Sequence, residues 1–525
     1  MPARARKVAA AASPHNRPPT SEELEHAARD CFESVLAFVK RDLPPGRTFL
    51  DFEGALVPLM YALARALVAL FLGLRHEQLE VPTTECVEGR FYTRSQPQDR
   101  EIATFFGRVR FWRTYMRAAG GGYYPLDRQL RLPSDGFSLF LVGLVSRIAT
   151  KVSYAQAQLV VKCFLGWAPS VASIERMTLG LGESTAAWFE HVPPPDDDGD
   201  VLVIMIDSKA TPTATDHELA KRRGKRRKRR PESSARHRGR SRRERWQAKK
   251  RRKKGDHTKN GRAATLVVMY TLKPGKGPDG KKRLEGPLNR RVYASYARKR
   301  HAFAVARRDA NRRGFGPGSG KRIQIVVDGE ENFERYAKEF FPEAILTLDV
   351  IHAMEYVWKA GRSFHREGSK ALASWVKAHK ARILNGQIKP VLRELEKRLE
   401  AFPKTGPGNK GKRARLATSL TYLSKRVALM NYGDLLDQDL EISTGPVEGA
   451  VRHVIGQRFD AAGMRWITER SEALLQLRCI EINGHWDAFV RFVESRAGPA
   501  FAALSSTAAP LPTLGVTPKR ASRVA

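Results

Sequence analysis

Cysteine is scarce in this chain. Its 525 residues contain four, Cys31, Cys86, Cys163 and Cys479, with no C-x-x-C pair among them. That spacing excludes a disulfide framework and a cysteine zinc site as organising features, and it fits reduced thiols in a cytosolic protein. Acidic residues are also under-represented: 55 Asp and Glu against 93 Lys and Arg give a formal net charge of +38. A balance of that sign points to polyanionic partners, or else to a patch for acidic membranes. A clean membrane span is missing too. The most apolar stretch, Gly54–Leu74, carries Arg65 at its centre and Pro58 near its start. A central arginine costs roughly 2.5–3.5 kcal/mol on insertion scales, so the segment reads as a buried helix and no membrane partner is expected. The N-terminal MPARARKVAAAASPHNRPP has an apolar run of about five residues, short of a signal-peptide core.

What is abundant is positive charge, and it is uneven. Lys221–Lys254 holds 21 Lys or Arg and 2 Glu, a net of +19, half of the total. A block of that kind reads as a solvated arm that binds nucleic acid through phosphate without reading sequence.

Residues 1–19 are Pro-, Ala- and Arg-rich and read as a disordered tail. Residues 20–195 read as a mostly helical N-terminal region. In its first helix, Ser21 to Lys40, apolar residues recur at helical spacing after a Thr20 or Ser21 cap. Alternating residues around Phe105–Tyr115, followed by Gly120–Gly122, predict a β-hairpin near 103–127. Its interleaved Arg108, Arg110, Arg113 and Arg117 either touch phosphates or form a solvated face. Ser138–Glu183 reads as helices separated by the break GWAPS, the pattern of a helix-turn-helix. Ser170 would cap the last helix, with Ser173, Glu175 and Arg176 projecting toward a DNA groove; plain helical packing explains the same pattern. HVPPPDDDGD then marks a boundary near residue 195.

After that boundary the pattern is α/β. Strands are expected at Val201–Asp207, Ala264–Leu272, Arg291–Tyr296, Arg322–Asp328 and Ala344–Asp349, with helices at Ala297–Arg313 and Glu331–Phe341. Residues 196–351 form the first part of this core, interrupted by the basic insert 215–262. A helical insertion covers 352–440, a second core part covers 441–497, and 498–525 reads as a disordered tail. Strand, strand, strand, helix, strand, helix, strand, then helices is the element order of an RNase H-like fold.

Two of these strands end on acid, VLVIMID on Asp207 and IQIVVDG on Asp328, and Glu448 follows in STGPVEGAVRH. Carboxylates in a basic, DNA-seeking chain suggest metal. Two-metal phosphoryl transfer needs several of them converging on ions about 3.5–4 Å apart, with Mg²⁺ retaining water and phosphate ligands. Each acid also has a plain reading: a cap for Asp207, an Asp-Gly turn for Asp328, and an i,i+4 surface pair with Arg452 for Glu448. Asp349 rivals Asp328, but Asp328 ends the inner strand. His352 follows Asp349 by one helical turn, where a satisfied core histidine is the default.

The series VVDGEENF, LDVIHAMEYV, STGPVEGAVRHVIGQRFDAAGMRW and ALLQLRCIEING resembles the DDE transposases of bacterial insertion sequences. Within them it resembles the group called the Kra (type four) family, related to Mutator-like transposases. The likeness runs from about residue 100 to 490, and the VEG…GMRW stretch is its most specific piece. It implies Asp207, Asp328 and Glu448 as a catalytic, metal-holding triad with two Mg²⁺ (or Mn²⁺) ions. It makes Asp349 and His352 a D-x-x-H motif beside the site. It also implies terminal inverted repeats and target DNA as partners, a homo-oligomer on DNA, and a bacterial cytoplasmic location. Many relatives carry Asp-Gly at the first acid, whereas here Ser208-Lys209 follows, and Lys209 could lie on phosphate. Arg452 is a further candidate DNA contact. Arg465 and Trp466 either stack on unpaired bases or pack under the acidic helix. A non-catalytic basic DNA-binding protein and a structure-selective RNase H-like nuclease share many of these features.

Overall fold

The computed structural model describes residues 17–214, 262–276, 282–460, 464 and 466–496. The basic segment 221–254, most of both expected tails and Arg465 lie outside them. Among the described residues the chain divides into two compact units, one formed by residues up to Leu181 with Asp487–Arg496, the other by Gly182–Trp486.

The first unit opens with α1 (Ser21–Lys40). Thr20 and Glu23 close a capping box at its start, Thr20 N–H donating to the Glu23 carboxylate at 2.8 Å and Glu23 N–H to the Thr20 hydroxyl at 3.2 Å. α2 (Phe49–Gln78) is longer than expected and differs in its surroundings: only Leu72 is buried. By length and composition it could cross a membrane. The expected buried helix is therefore not found. α2 is apolar nearly all round, and the elements against it cover only part of that surface.

This region is mostly helical, but it carries more strand than the one expected hairpin, because six short strands follow α2. β1 (Thr84–Val87), β2 (Arg90–Arg94), β5 (Met116–Ala118) and β6 (Gly121–Tyr123) form one antiparallel sheet, order β1-β2-β5-β6. β3 (Gln98–Thr104) and β4 (Gly107–Arg113) form a separate hairpin. The single hairpin expected near 103–127 is thus two. The β3–β4 turn falls at Phe105-Phe106, ahead of the glycines, with Gly107 at φ 119° and the Thr104 hydroxyl donating to Gly107 O at 2.9 Å. Aromatic residues hid that turn. Gly120 and Gly121, both at positive φ, turn β5 into β6. The interleaved arginines are largely paired: Arg110 with Asp99 at 2.8 Å, Arg108 with Glu101, and Arg113 with Asp127.

After a short helix, Pro125–Gln129, three longer ones follow, Leu139–Lys151, Tyr154–Leu165 and Val171–Gly182. Gly166 ends the second in the left-handed region (φ 70°), the usual glycine exit. Ser173 N–H donates to the Ser170 hydroxyl at 3.1 Å, so Ser170 caps the third as the sequence suggested.

The second unit is built on a five-stranded sheet of order β11-β10-β7-β8-β9: β7 (Val201–Thr211), β8 (Arg262–Lys276), β9 (Lys282–Ser295), β10 (Arg322–Val327) and β11 (Ile345–Leu348). β7, β10 and β11 run parallel, while β8 is antiparallel to both β7 and β9. Val201 to Ile206 are all buried, which is why that strand reads as an unbroken apolar run. β8 and β9 are longer than expected, and they pair through registers that a propensity reading cannot see. Helices Lys299–Arg312 and Glu331–Phe340 supply the crossovers. A run of helices from Val350 to Asp437 follows β11. The helix Thr468–Ile482 packs on β9, fixed by buried Glu472, which accepts from the Ser295 hydroxyl and the Tyr296 N–H, each at 2.6 Å.

Candidate active site

Strand register places the acids. Val326 pairs with Met205, so two residues further Asp328 is level with Asp207. Val327 pairs with Leu348, so one residue further Asp328 is level with Asp349. Three aspartates thus form one row across adjacent parallel strands spaced about 4.8 Å apart. Asp328 and Asp349 directly follow the C-terminal ends of β10 and β11, where open α/β sheets gather their functional groups, whereas β7 runs four residues past Asp207 to Thr211.

The three are held differently. Asp207 Oδ1 accepts from Ser208 N–H at 2.6 Å. Burial pushes its carboxyl pKa up, Asp328 and Glu448 push it further, and His352 pulls against them. Each of those groups is therefore near enough to act electrostatically on Asp207. None of Asp207, Asp328 and Glu448 forms an ion pair among the described residues.

Asp328 Oδ1 accepts from Glu330 N–H at 2.8 Å across a tight turn in which Gly329 has φ 84°. Here glycine is needed twice, for its backbone angle and for space. A Cβ would sit 2.2 Å from the Tyr422 hydroxyl and 3.0 Å from both Arg426 Nε and Leu348 Cδ1. The Tyr422 hydroxyl donates to Asp328 O at 3.0 Å, and Arg426 Nη2 donates to Gly329 O at 2.7 Å. Tyr422 stacks on Tyr356 with ring centroids 3.6 Å apart, and Lys359 and Arg426 cover the tyrosines at 3.9 and 4.2 Å. The helical run between β11 and Glu448 therefore props the Asp328 turn directly.

Asp349 is fully buried, and both its oxygens are occupied. Oδ1 accepts from Ile351 N–H at 3.2 Å and Thr444 N–H at 3.1 Å; Oδ2 accepts from His352 N–H at 3.2 Å and faces His352 Nδ1. Burial works against this carboxylate, but the bonds from His352, Thr444 and Ile351 outweigh it and hold its pKa below the ordinary value. His352 moves the opposite way: its bond to Asp349 raises its pKa, and Asp328 adds to the rise. Asp349 thus caps the helix Val350–Gly361 and orients the half-buried His352 ring, with little capacity left for a metal.

Glu448 arrives by a clamped route. Gln324, inside β10, exchanges bonds with the Glu441 backbone, donating to its O at 2.7 Å and accepting from its N–H at 3.0 Å. Val350 N–H donates to Ile442 O at 2.8 Å, and Thr444 is held by Asp349. Pro446 then opens the short helix Gly445–Ala450 that carries Glu448. The helix then widens into a π-helix over Val451–Gly456, a form that collects at functional sites. The carbonyls of Val454 and His453 accept from buried Arg478, Nε at 2.8 Å and Nη2 at 2.6 Å.

The remaining candidates are dispersed. Lys209 Nζ pairs with Asp460 at 3.0 Å. Arg452 is exposed, as is Arg176; the Ser173 hydroxyl lies 2.9 Å from that of Ser170. Trp466 is packed, one of the two arrangements the sequence left open. Its indole N–H donates to Phe459 O at 3.1 Å, its ring lies 4.9 Å from that of Phe459, and its backbone joins Pro212 and Ala214. Gln324, Tyr422, Arg426 and Arg478 were not singled out from sequence. Gln324 and Arg478 left a signal, each a polar residue within an apolar run; the other two left none.

All-oxygen donors suit Mg²⁺ or Mn²⁺, and the repulsion on Asp207 is of the kind a divalent cation relieves. As placed, no group of three or more His, Cys, Asp or Glu residues among the described residues is arranged to hold an ion.

No protein-family model matches the chain, and no curated protein matches it. Among solved structures it is similar to a Drosophila P element transposase strand transfer complex, at 13% identity and a TM-score of 0.26, over 68% of this chain and 95% of that one. A likeness that remote carries no weight for fold or function.

Proposed function

We propose that this chain is a DDE transposase of the bacterial insertion-sequence kind, acting as a homo-oligomer on the terminal inverted repeats of its own element. The reading rests on one observation above the rest. Asp207 and Asp328 stand at the same level on adjacent parallel strands, and Asp207 also feels the charge of Glu448, more than a hundred residues further along. The sheet order β11-β10-β7-β8-β9, with a helical run before the acidic helix, supports an RNase H-like core.

Asp207, Asp328 and Glu448 would hold two Mg²⁺ or Mn²⁺ ions. Bound there, the ions would activate water and steady the leaving oxygen of a phosphodiester. The chain's own part is orientation. The Asp328 turn is fixed by Tyr422 and Arg426, Glu448 by the Gln324 and Asp349 clamps, and His352, when protonated, would offset part of the carboxylate repulsion. The basic segment 221–254 joins β7 to β8, and its flanking strands pair Thr211 with Arg262, four residues beyond Asp207. Its charge would therefore concentrate DNA beside the acids. Nicking and strand transfer on DNA carrying the sequences that flank the gene test the reading. Asp207→Asn, Asp328→Asn and Glu448→Gln should each abolish cutting while leaving DNA binding nearly unchanged; full cutting by any one removes that residue from the triad.

A further inference from the structure

The exposed apolar residues of α2 are not scattered. Leu50, Val57, Met60, Leu67, Phe71 and Leu74 are 36–77% exposed, and their spacings are 7, 3, 7, 4 and 3. With Glu53 and Ala64 they occupy every a and d position of a heptad from residue 50 to residue 74. A seam with that period is the surface one helix offers to another in a coiled coil. The other sides of α2 are engaged. α1 packs along it, Leu72, Val68 and Ala69 join the cluster of Ile102, Val109 and Phe111, and Arg65 Nη1 donates to Phe106 O at 3.0 Å. Along the seam the six apolar side chains stay exposed, with Arg75 of the same helix over the Phe71 ring.

We propose that a second copy of this chain covers the seam, with the two α2 helices antiparallel. The charges choose the direction. In parallel register Glu53 would face Glu53 across a d layer. Antiparallel layering of Leu50 on Leu74, Val57 on Leu67 and Ala64 on Met60 sets Glu53 opposite the partner copy's Phe71. Arg75 lies along that ring, its guanidinium 5.3 Å from the centroid, so each acid meets a base at both ends of the seam. Residues 50–74 span about 36 Å of helix. Six half-exposed side chains of this size bring roughly 300–500 Å² of apolar surface per copy, and with their flanks they approach the roughly 800 Å² of a standard interface. The proposal does not depend on whether the acids cut DNA.

Sedimentation velocity of the full chain without DNA, in about 0.5 M salt to screen non-specific charge, should show a dimer at micromolar concentration. Val57→Glu/Leu67→Glu should weaken it by at least about 100-fold, equivalent to about 2.7 kcal/mol, with circular dichroism unchanged. If that variant fails to fold, the charge pair decides. Glu53→Arg alone should weaken the dimer about 10-fold, and adding Arg75→Glu should restore it. A monomeric wild type overturns the proposal, as does a dimer that neither the seam variant nor Glu53→Arg weakens. Wild type that co-floats with phosphatidylcholine/phosphatidylglycerol vesicles as a monomer, through contacts the double glutamate abolishes, assigns the face to a membrane and overturns it too.

Discussion

Gly329→Ala gives a prediction whose size follows from the Asp328 turn. At φ 84° an alanine costs about 1–2 kcal/mol in backbone strain alone. Its Cβ would meet the Tyr422 hydroxyl at 2.2 Å, so the ring must move by about 1 Å to restore ordinary contact. That movement loses the bond to Asp328 O, worth about 0.5–1.5 kcal/mol net, and disturbs the Tyr356 stack, worth a similar amount. The sum is about 2–5 kcal/mol, a fall in melting temperature of roughly 4–10 °C for a body of this size. Because Asp328 rides on the same turn, cleavage should fall by up to about 100-fold, the usual consequence of a 1 Å misplacement. Tyr422→Phe removes the clashing oxygen. Calorimetry on both single variants and the double variant should therefore give a double penalty smaller than the sum of the two. An alanine variant that melts within about 1 °C of wild type, or penalties that simply add, would refute this account of the turn.

Three further outcomes are expected. Arg478→Met leaves two π-helix carbonyls without their donor, at about 1–3 kcal/mol each, and should lower both melting temperature and cutting by shifting Glu448; unchanged cutting would separate the π-helix from the acid. The His352 pKa is raised by Asp349, so its protonated form stabilises the fold. That contribution is whole below about pH 6.5 and is lost as pH rises through the higher folded value. The melting-temperature gap between wild type and His352→Asn should accordingly shrink from pH 6 to pH 9, and a pH-independent gap would contradict the assignment. Deleting 221–254 should weaken non-specific DNA binding and flatten its salt dependence, by about 0.9 unit of slope for each duplex phosphate the segment neutralises; an unchanged slope would mean the segment does not touch DNA.

The core strands were legible because burial on both faces writes itself as an unbroken apolar run, and Asp207 and Asp328 stood out where those runs stopped. The level row of acids was not legible, since strand register is a property of pairing across 121 residues (328 − 207). α2 was visible as a helix, but its exposure was not, because apolar composition does not say what lies opposite. The β3–β4 turn was hidden in aromatic residues, and Gly120–Gly122 drew attention to the next turn. Trp466 beside Arg465 left stacking and packing both open, because its place on Phe459 depends on tertiary neighbours that short-range patterns do not encode. The props of the site, Tyr422 and Arg426, sit far from the acids in sequence and form no motif with them. Asp349 shows the converse: its spacing to His352 was visible, but only the four bonds it accepts distinguish an orienting acid from a ligand.

The central claim is that Asp207, Asp328 and Glu448 act as one unit on DNA. It is tested most directly by metal-dependent nicking of labelled DNA bearing the ends that flank the gene, with purified wild type and the three isosteric variants side by side. The account predicts nicking by wild type with Mg²⁺ or Mn²⁺, loss in each variant of at least about 1000-fold, equivalent to about 4 kcal/mol of barrier, and DNA affinity within about twofold of wild type. No nicking by wild type with either metal, or full nicking by any one variant, would contradict it.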